Sequence, residues 1–286
     1  MRELVAAAVQ MRSGVTPDAN IAAMQSLVRE AAERGARYVQ TPEMTGAVQK
    51  SRAGLRSILR TEADDAVLKA ASVLAAELGI YLHIGSTAID VGNEMTANRG
   101  VVFGPDGAAL AHYDKIHMFD VDLDNGESWR ESAVYQPGDV ARIVDIDVAQ
   151  LGMGICYDIR FPHLYRDLAL AGADILTAPA AFTRQTGEAH WHVLQRARAI
   201  ENGAFVISAA QGGVHEDGRE TYGHSIIVNP WGQIIAEADN DEPGVIVATL
   251  SLDEVKAARS KIPNLSNARE YRVETGVENA KGERVA

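Results

Sequence analysis

Apolar residues fill positions 4–10 almost without interruption, the pattern of a strand buried on both faces. The rhythm then becomes helical, with Ile21, Met24, Leu27, Val28 and Ala31 recurring at three- and four-residue steps. Thr16-Pro17-Asp18 supplies a start, with a capping hydroxyl, proline at the first helical position and an acid in the first turn; Gly35 supplies a stop. Tyr38-Val39-Gln40 reads as a short strand running into Thr41-Pro42-Glu43. A second amphipathic helix is predicted over 64–78, ended by Gly79, with a strand over 80–87. Strands at 101–103 and 109–113 flank Gly104-Pro105-Asp106-Gly107, a hairpin signal. Residues 119–139 are polar and broken by Asn125-Gly126 and Pro137-Gly138, and a loop of this length is more often functional than idle.

The second half repeats the alternation. Strands are predicted at 141–146, 151–155, 174–178, 204–209, 225–228, 234–238 and 245–250, and helices at 161–171, 188–202 and 252–261. Two strand–helix–strand–helix stretches around a hairpin-rich middle indicate a layered α/β fold with mixed sheets. No repeat of 20–50 residues and no linker interrupts the chain, so 1–272 reads as one domain and 273–286 as a polar C-terminal tail.

Composition narrows the partners. The chain has 286 residues, 47% of them hydrophobic and 23% charged, which is enough for a substantial core and excludes disorder, collagen and coiled coil as the main state. A formal charge of −12, with no run of Lys and Arg, argues against nucleic acid. No apolar stretch approaches the ~18 residues of a membrane span. The first apolar run is too short for a signal core and has an acid in front of it. Cys156 is the single cysteine, so no intrachain disulfide can form, which suits a reducing, cytoplasmic setting.

Cys156 lies in Gly152-Met153-Gly154-Ile155-Cys156-Tyr157-Asp158-Ile159-Arg160-Phe161-Pro162, where a buried strand gives way to a helix. Such an elbow points a side chain off the sheet edge and turns backbone N–H groups toward a ligand. A lone cysteine is also a common buried structural thiol. A thiol nucleophile needs a base or cation nearby, because its reference pKa is ~8.5. Glu43, after Pro42 at a strand end, and Lys115, in Tyr113-Asp114-Lys115-Ile116-His117, are candidates, although each taken alone reads as a surface or capping charge. Other chemistries find less support. The chain lacks G-x-S-x-G, H-E-x-x-H and C-x-x-C; His190 and His192 point to different helix faces; and Tyr157 stands where a dinucleotide fingerprint needs its third glycine. A Cys–His enzyme and a non-catalytic binding scaffold remain open on these residues alone.

These motifs together resemble the nitrilase (carbon–nitrogen hydrolase) superfamily. Its glutamate follows a proline after an early strand, as in Thr41-Pro42-Glu43-Met44. Its lysine stands in a stretch like Asp114-Lys115-Ile116-His117-Met118-Phe119-Asp120, and its cysteine in a block matched from Gly152 to Pro162. Ala180-Ala181-Phe182-Thr183, Thr186-Gly187, Ala189-His190-Trp191, the block from Ala197 to Asn202, and Tyr222-Gly223-His224-Ser225 through Gly232 follow in family order. The resemblance covers roughly residues 4–272. It implies a four-layer α-β-β-α sandwich of the nitrilase type, with two mixed sheets between helices, working as a homodimer with no cofactor and no metal. It makes Cys156 the nucleophile and Glu43 the general base and acid. Lys115 becomes the oxyanion donor, helped by the Tyr157 N–H. Glu131, in Trp129-Arg130-Glu131-Ser132, becomes the second glutamate, with Glu127 close by. Relatives usually carry an acid where this chain has His163.

The segments from Phe182 to Trp191 and from Ala209 to Ser225 look like the amidase branch that holds the deaminated glutathione amidases and the omega-amidases. That implies a small amide of a short α-keto acid, with Tyr157, Phe182 and Thr183 at the substrate and Arg160 or Arg184 on its carboxylate. The superfamily's nitrilases and N-carbamoyl hydrolases are the alternatives. Two carboxylates packed against one ammonium should be driven apart in pKa.

Overall fold

A computed structural model of the chain describes residues 2–123, 126 and 128–273, so Asn125, Glu127 and the tail from 274 lie outside the described residues. Six strands form a first sheet in the order Gly244–Ser251, Glu3–Gln10, Tyr38–Gln40, Tyr81–Gly92, Met95–Phe103 and Ala109–Asp114. A second runs Ile143–Asp145, Gln150–Gly152, Ile175–Thr177, Phe205–Ser208, Ile226–Val228 and Ile234–Glu237. Both follow one plan: an antiparallel edge strand, three parallel strands, then two antiparallel ones. The repetition is one of topology across the two halves, which is why no short sequence repeat betrays it.

Helices α1 (Pro17–Glu33) and α3 (Ala66–Leu78) lead into parallel strands of the first sheet, and α4 (Pro162–Leu170) and α5 (Arg184–Asn202) into those of the second. The short α2 (Arg52–Ile58) and the late α6 (Asp253–Lys261) complete the helices of the described residues. Alternation along the first strand sets the layers. Leu4, Ala6 and Ala8 share a buried cluster with Leu151, Ile175 and Ile207 of the second sheet, whereas Ala7 and Val9 pack with Met24, Val28 and Leu74 of α1 and α3. Tyr165, Leu168 and Trp191 of α4 and α5 cover the far face of the second sheet. The predicted α-β-β-α order is therefore present, and residues 4–9 of this strand are apolar without interruption because helices cover one face and a sheet the other.

Local signals held at most helix ends. Asp65 caps α3 by accepting from the Leu68 N–H at 2.9 Å, and Gly79 ends it at φ +62°. Thr16 precedes α1 as expected, yet its hydroxyl makes no capping bond; the Asn20 amide donates instead to the Thr16, Gly14 and Gly46 carbonyls. The α2 helix and two hairpins were not predicted. One, Asp120–Asp122 with Ser128–Arg130, structures the polar stretch; the other pairs Gly212–Val214 with Glu220–Tyr222. No helix of the described residues is long and apolar enough to cross a membrane.

The sheets approach closely at one end. Pro42 follows Tyr38–Gln40, and Pro179 stands in the matching place after Ile175–Thr177. Between them is Gly85, where a Cβ would meet the Thr41 carbonyl at 2.1 Å and the Pro179 ring at 2.5 Å. Carboxyl ends of parallel strands from both sheets thus converge, the place where ligands bind in open α/β sheets.

Candidate active site

Cys156 opens a single turn of 3₁₀ helix, Cys156–Arg160, four residues past the strand Gln150–Gly152. Its φ is +48°, a region rarely used by residues other than glycine, and its N–H donates to the Pro179 carbonyl at 3.0 Å. This sharp elbow holds a largely buried thiol at the floor of a cavity of about 810 Å³. Glu43, just beyond Pro42, reaches the same floor. One of its carboxylate oxygens accepts from Lys115 Nζ at 2.9 Å and from Asn98 Nδ2 at 2.9 Å, and the other accepts from the Ala181 N–H at 2.8 Å. Lys115 Nζ also donates to both Glu131 oxygens, at 3.0 and 2.8 Å. Lys115 is 2% exposed and Glu43 4%, so neither is the surface charge that each suggests when taken alone.

Electrostatics follow from that burial. Burial pushes the Glu43 carboxyl up, but the Lys115 ammonium, with hydrogen bonds from Cys156, Lys115 and Ala181, holds it below the ordinary carboxylate range. Burial opposes a charged Lys115, yet Glu131 and Glu43 keep its pKa well above the usual lysine value. Burial, then the Glu43 carboxylate, raises the Cys156 thiol more than Lys115 lowers it. The resting site therefore holds the Glu43 carboxylate, the Lys115 ammonium and a neutral thiol, with Glu131 bonded to the same ammonium. A free thiolate here would add a second negative charge beside Glu43; moving the thiol proton onto Glu43 leaves the total unchanged.

Two residues that sequence reasoning missed fix this geometry. Asn98 bridges the carboxylates, its Nδ2 donating to Glu131 at 3.1 Å as well as to Glu43, while its backbone carbonyl accepts the Lys115 backbone N–H at 3.0 Å. Asn98 is a fully buried amide within the strand Met95–Phe103, and no pattern in the sequence singles it out. Asp158, also fully buried, accepts from the Ile155 N–H at 2.9 Å, Tyr113 Oη at 2.7 Å, the His117 N–H at 3.1 Å and His117 Nδ1 at 2.7 Å. It ties the cysteine elbow to the residues on either side of Lys115. His117 stacks on Phe161 with centroids 3.5 Å apart, and exposed His163 lies edge-on to both rings.

Glu43, Lys115, Glu131, Cys156, Tyr157, Phe182 and Thr183, the other site candidates of the sequence, all line the same cavity. Arg160 and Arg184 do not. Arg160 lies over the Phe182 ring at 5.2 Å and meets His190 Nδ1 at 3.3 Å, with no carboxylate paired to it among the described residues. Arg184 is held outside by Asp241 at 2.7 Å and Glu220 at 3.1 Å, so its surface-charge reading is the better one. The cations that do line the cavity, besides Lys115, are Lys50, Arg52, Arg130 and Arg219.

The sequence profile of the carbon–nitrogen hydrolases matches residues 5–260. The chain belongs to this family. It is 36% identical over 271 residues to a deaminated glutathione amidase of Synechocystis, covering 93% of this chain and 98% of that one. It is 34% identical over 257 residues to the human omega-amidase NIT2, covering 90% and 92%. Among solved structures it superimposes on the Caenorhabditis elegans NitFhit protein with a TM-score of 0.85 at 30% identity, over 96% of this chain and 69% of that one. An amidase from Nesterenkonia, solved with acrylamide added to its active-site cysteine, superimposes with a TM-score of 0.76 at 26% identity, over 91% and 98%.

Away from the cavity, His192, His224 and Glu237 bring ligand-type atoms within 4.8 Å of one another, a grouping able to hold a metal ion. One Glu237 oxygen already meets His192 Nε2 at 2.6 Å and His224 Nδ1 at 3.2 Å, so a hydrogen-bonded cluster accounts for it.

Proposed function

We propose that this carbon–nitrogen hydrolase is a cysteine-dependent amidase that cleaves the amide of a small α-keto acid, with deaminated glutathione as the preferred substrate. The observation that carries the reading is the buried Glu43–Lys115–Glu131 ion cluster at the floor of the cavity that Cys156 also lines.

In this mechanism Glu43 takes the Cys156 proton as sulfur attacks the amide carbon. The carbonyl electron pair moves to oxygen, which Lys115 Nζ and the Tyr157 N–H stabilise; the latter belongs to the first turn of a helix, where N–H groups lack helical acceptors. Glu43 then gives the proton to the departing nitrogen, the C–N bond breaks and a thioester remains. Water enters, Glu43 takes its proton, and hydroxide attacks the thioester. The second tetrahedral species expels the Cys156 sulfur, which recovers its proton from Glu43. Glu131 and Asn98 position Lys115 and Glu43 throughout.

The size of the cavity supports the longer substrate. About 810 Å³ lies in the range of pockets that enclose drug-sized ligands, and exceeds what a five-carbon keto-acid amide fills. Its lining cations suit an anionic ligand. The two named relatives differ by two points of identity, too little to choose between their substrates. Hydrolysis of deaminated glutathione and of α-ketoglutaramate, measured side by side with Cys156→Ala as control, tests the reading. Cys156-dependent preference for the first supports it; preference for the second makes this an omega-amidase; activity on neither refutes the substrate class. We further infer a cytoplasmic homodimer. Val193 and Ile200 of α5 and nearby Trp231 are exposed apolar residues that a second copy would cover, and sedimentation velocity tests this.

A further inference from the structure

We propose that Arg219, held over the Trp129 ring, is the residue that binds the substrate's carboxylate in this cavity. The proposal rests on the amidase reading and adds the group that selects anionic amides. The floor holds two carboxylates against one ammonium, so a substrate carboxylate must be taken up elsewhere, on the walls.

The wall cations are not equivalent. Arg130 is engaged by Asp122 through two hydrogen bonds of 2.9 and 2.8 Å. Arg52 donates to the Ala133 carbonyl. Lys50 stands on the segment leading into α2 as a flexible ammonium. Arg219 differs. Its guanidinium lies 4.6 Å from the centre of the Trp129 ring, and its buried Nε has no hydrogen-bond partner among the described residues. The carboxylate paired with it, on Asp217, is 3.7 Å from a terminal nitrogen, beyond hydrogen-bond reach. The side chain is 16% exposed and lines the cavity, so a carboxylate entering there can pair with its terminal nitrogens, which Asp217 does not reach. A guanidinium fork held over an aromatic ring is also suited to paired hydrogen bonds with a carboxylate.

The mounting is rigid. Arg219 closes the turn between Gly212–Val214 and Glu220–Tyr222, where its carbonyl accepts the His215 N–H at 2.8 Å. Buried His215 meets the Ser13 carbonyl at 2.9 Å and Thr221 Oγ1 at 2.7 Å. The Tyr222 N–H donates to the Phe182 carbonyl at 2.9 Å, which fixes the hairpin to the cavity wall. Arg184, expected to bind the carboxylate itself, instead engages Glu220, the acid next to Arg219.

The test compares α-ketoglutaramate with 4-oxopentanamide, which carries a methyl group where the former has its carboxylate. The readout is the ratio of their kcat/KM values, so the neutral amide reports on the folded, working site. The wild-type protein is expected to favour the anionic amide. Arg219→Ala should lower that ratio about ten- to a hundredfold, the worth of a hydrogen bond to a charged group, through KM for the anionic amide. Arg219→Lys should lower it less, because charge survives without the fork. An unchanged ratio in Arg219→Ala, with both amides still hydrolysed, would overturn the proposal and leave the amidase reading intact. Absence of Cys156-dependent hydrolysis in the wild type, on these amides and on deaminated glutathione, would overturn both. Should Arg219→Ala not fold, the ratio in Arg219→Lys decides.

Discussion

Replacing Asp158 by Asn removes a charge and alters one oxygen, yet should loosen the whole site. The carboxylate accepts four hydrogen bonds, two on each oxygen. One oxygen serves Tyr113 Oη and the Ile155 N–H; the other serves the His117 N–H and His117 Nδ1. An amide nitrogen in either place confronts a backbone N–H, of Ile155 or of His117, and that donor cannot reverse. Tyr113 can rotate its hydroxyl and His117 can change tautomer, so one N–H is orphaned in either case. Leaving a buried donor unsatisfied costs about 1–3 kcal/mol. The surviving bonds also lose their charge assistance, which roughly doubles their strength in the wild type, so the total comes to about 2–4 kcal/mol. At about 2–4 °C per kcal/mol for a chain of this size, Tm should fall by about 5–15 °C. Because Asp158 joins the Cys156 elbow to the Lys115 segment, kcat/KM should also fall by about tenfold or more, since a misplacement of about 1 Å can cost a hundredfold. Calorimetry and steady-state amide hydrolysis on the same preparation give both numbers. An Asp158→Asn protein with wild-type Tm and turnover would refute the claim that this carboxylate holds the elbow.

Other substitutions probe the floor directly. Lys115→Ala should reduce kcat by at least about a hundredfold, the usual loss for an oxyanion donor, and also destabilise the fold by leaving Glu43 and Glu131 buried without their ammonium. Near-normal turnover would remove Lys115 from the mechanism. Asn98→Ala should slow turnover while leaving the thiol open to alkylation by iodoacetamide; equal turnover would reduce Asn98 to a packing residue. The pH dependence has a defined sign. The folded pKa of Glu43 is lowered, so its contribution to stability is fully present above the ordinary carboxylate range and is lost as pH falls through the lowered value. The acid limb of kcat/KM should therefore lie below that range, and Glu43→Gln should lose turnover at every pH. An acid limb near neutrality would contradict the assignment.

Much of this architecture is legible along the chain because burial is periodic. In α3, Leu68, Ala71, Leu74 and Ala75 fall on one buried face, and Gly79 stops it where the periodicity stops. Strand Glu3–Gln10 announces its two-sided burial by lacking polar alternation. Glu43, Lys115 and Cys156 could be proposed as partners because their three motifs, in this order, resemble those of the carbon–nitrogen hydrolases; taken singly, each reads as an ordinary ion or a structural thiol. Asn98 and Asp158 could not, since their importance lies in bonds to residues tens of positions away. The two missed hairpins have strands of three residues, too short for a period to register. Arg160 and Arg184 stand near the cysteine and the Phe182 block in sequence, yet neither lines the cavity. Arg219 reaches the cavity from a hairpin that closes against Phe182 from across the fold.

Rapid quenching of the protein with deaminated glutathione, followed by intact-mass analysis and peptide mapping, tests the central claim most directly. The account predicts a transient adduct of the mass of the acyl group on the peptide containing Cys156, released by water and absent from Cys156→Ala. Turnover that persists in Cys156→Ala, or an adduct on another residue, would contradict it.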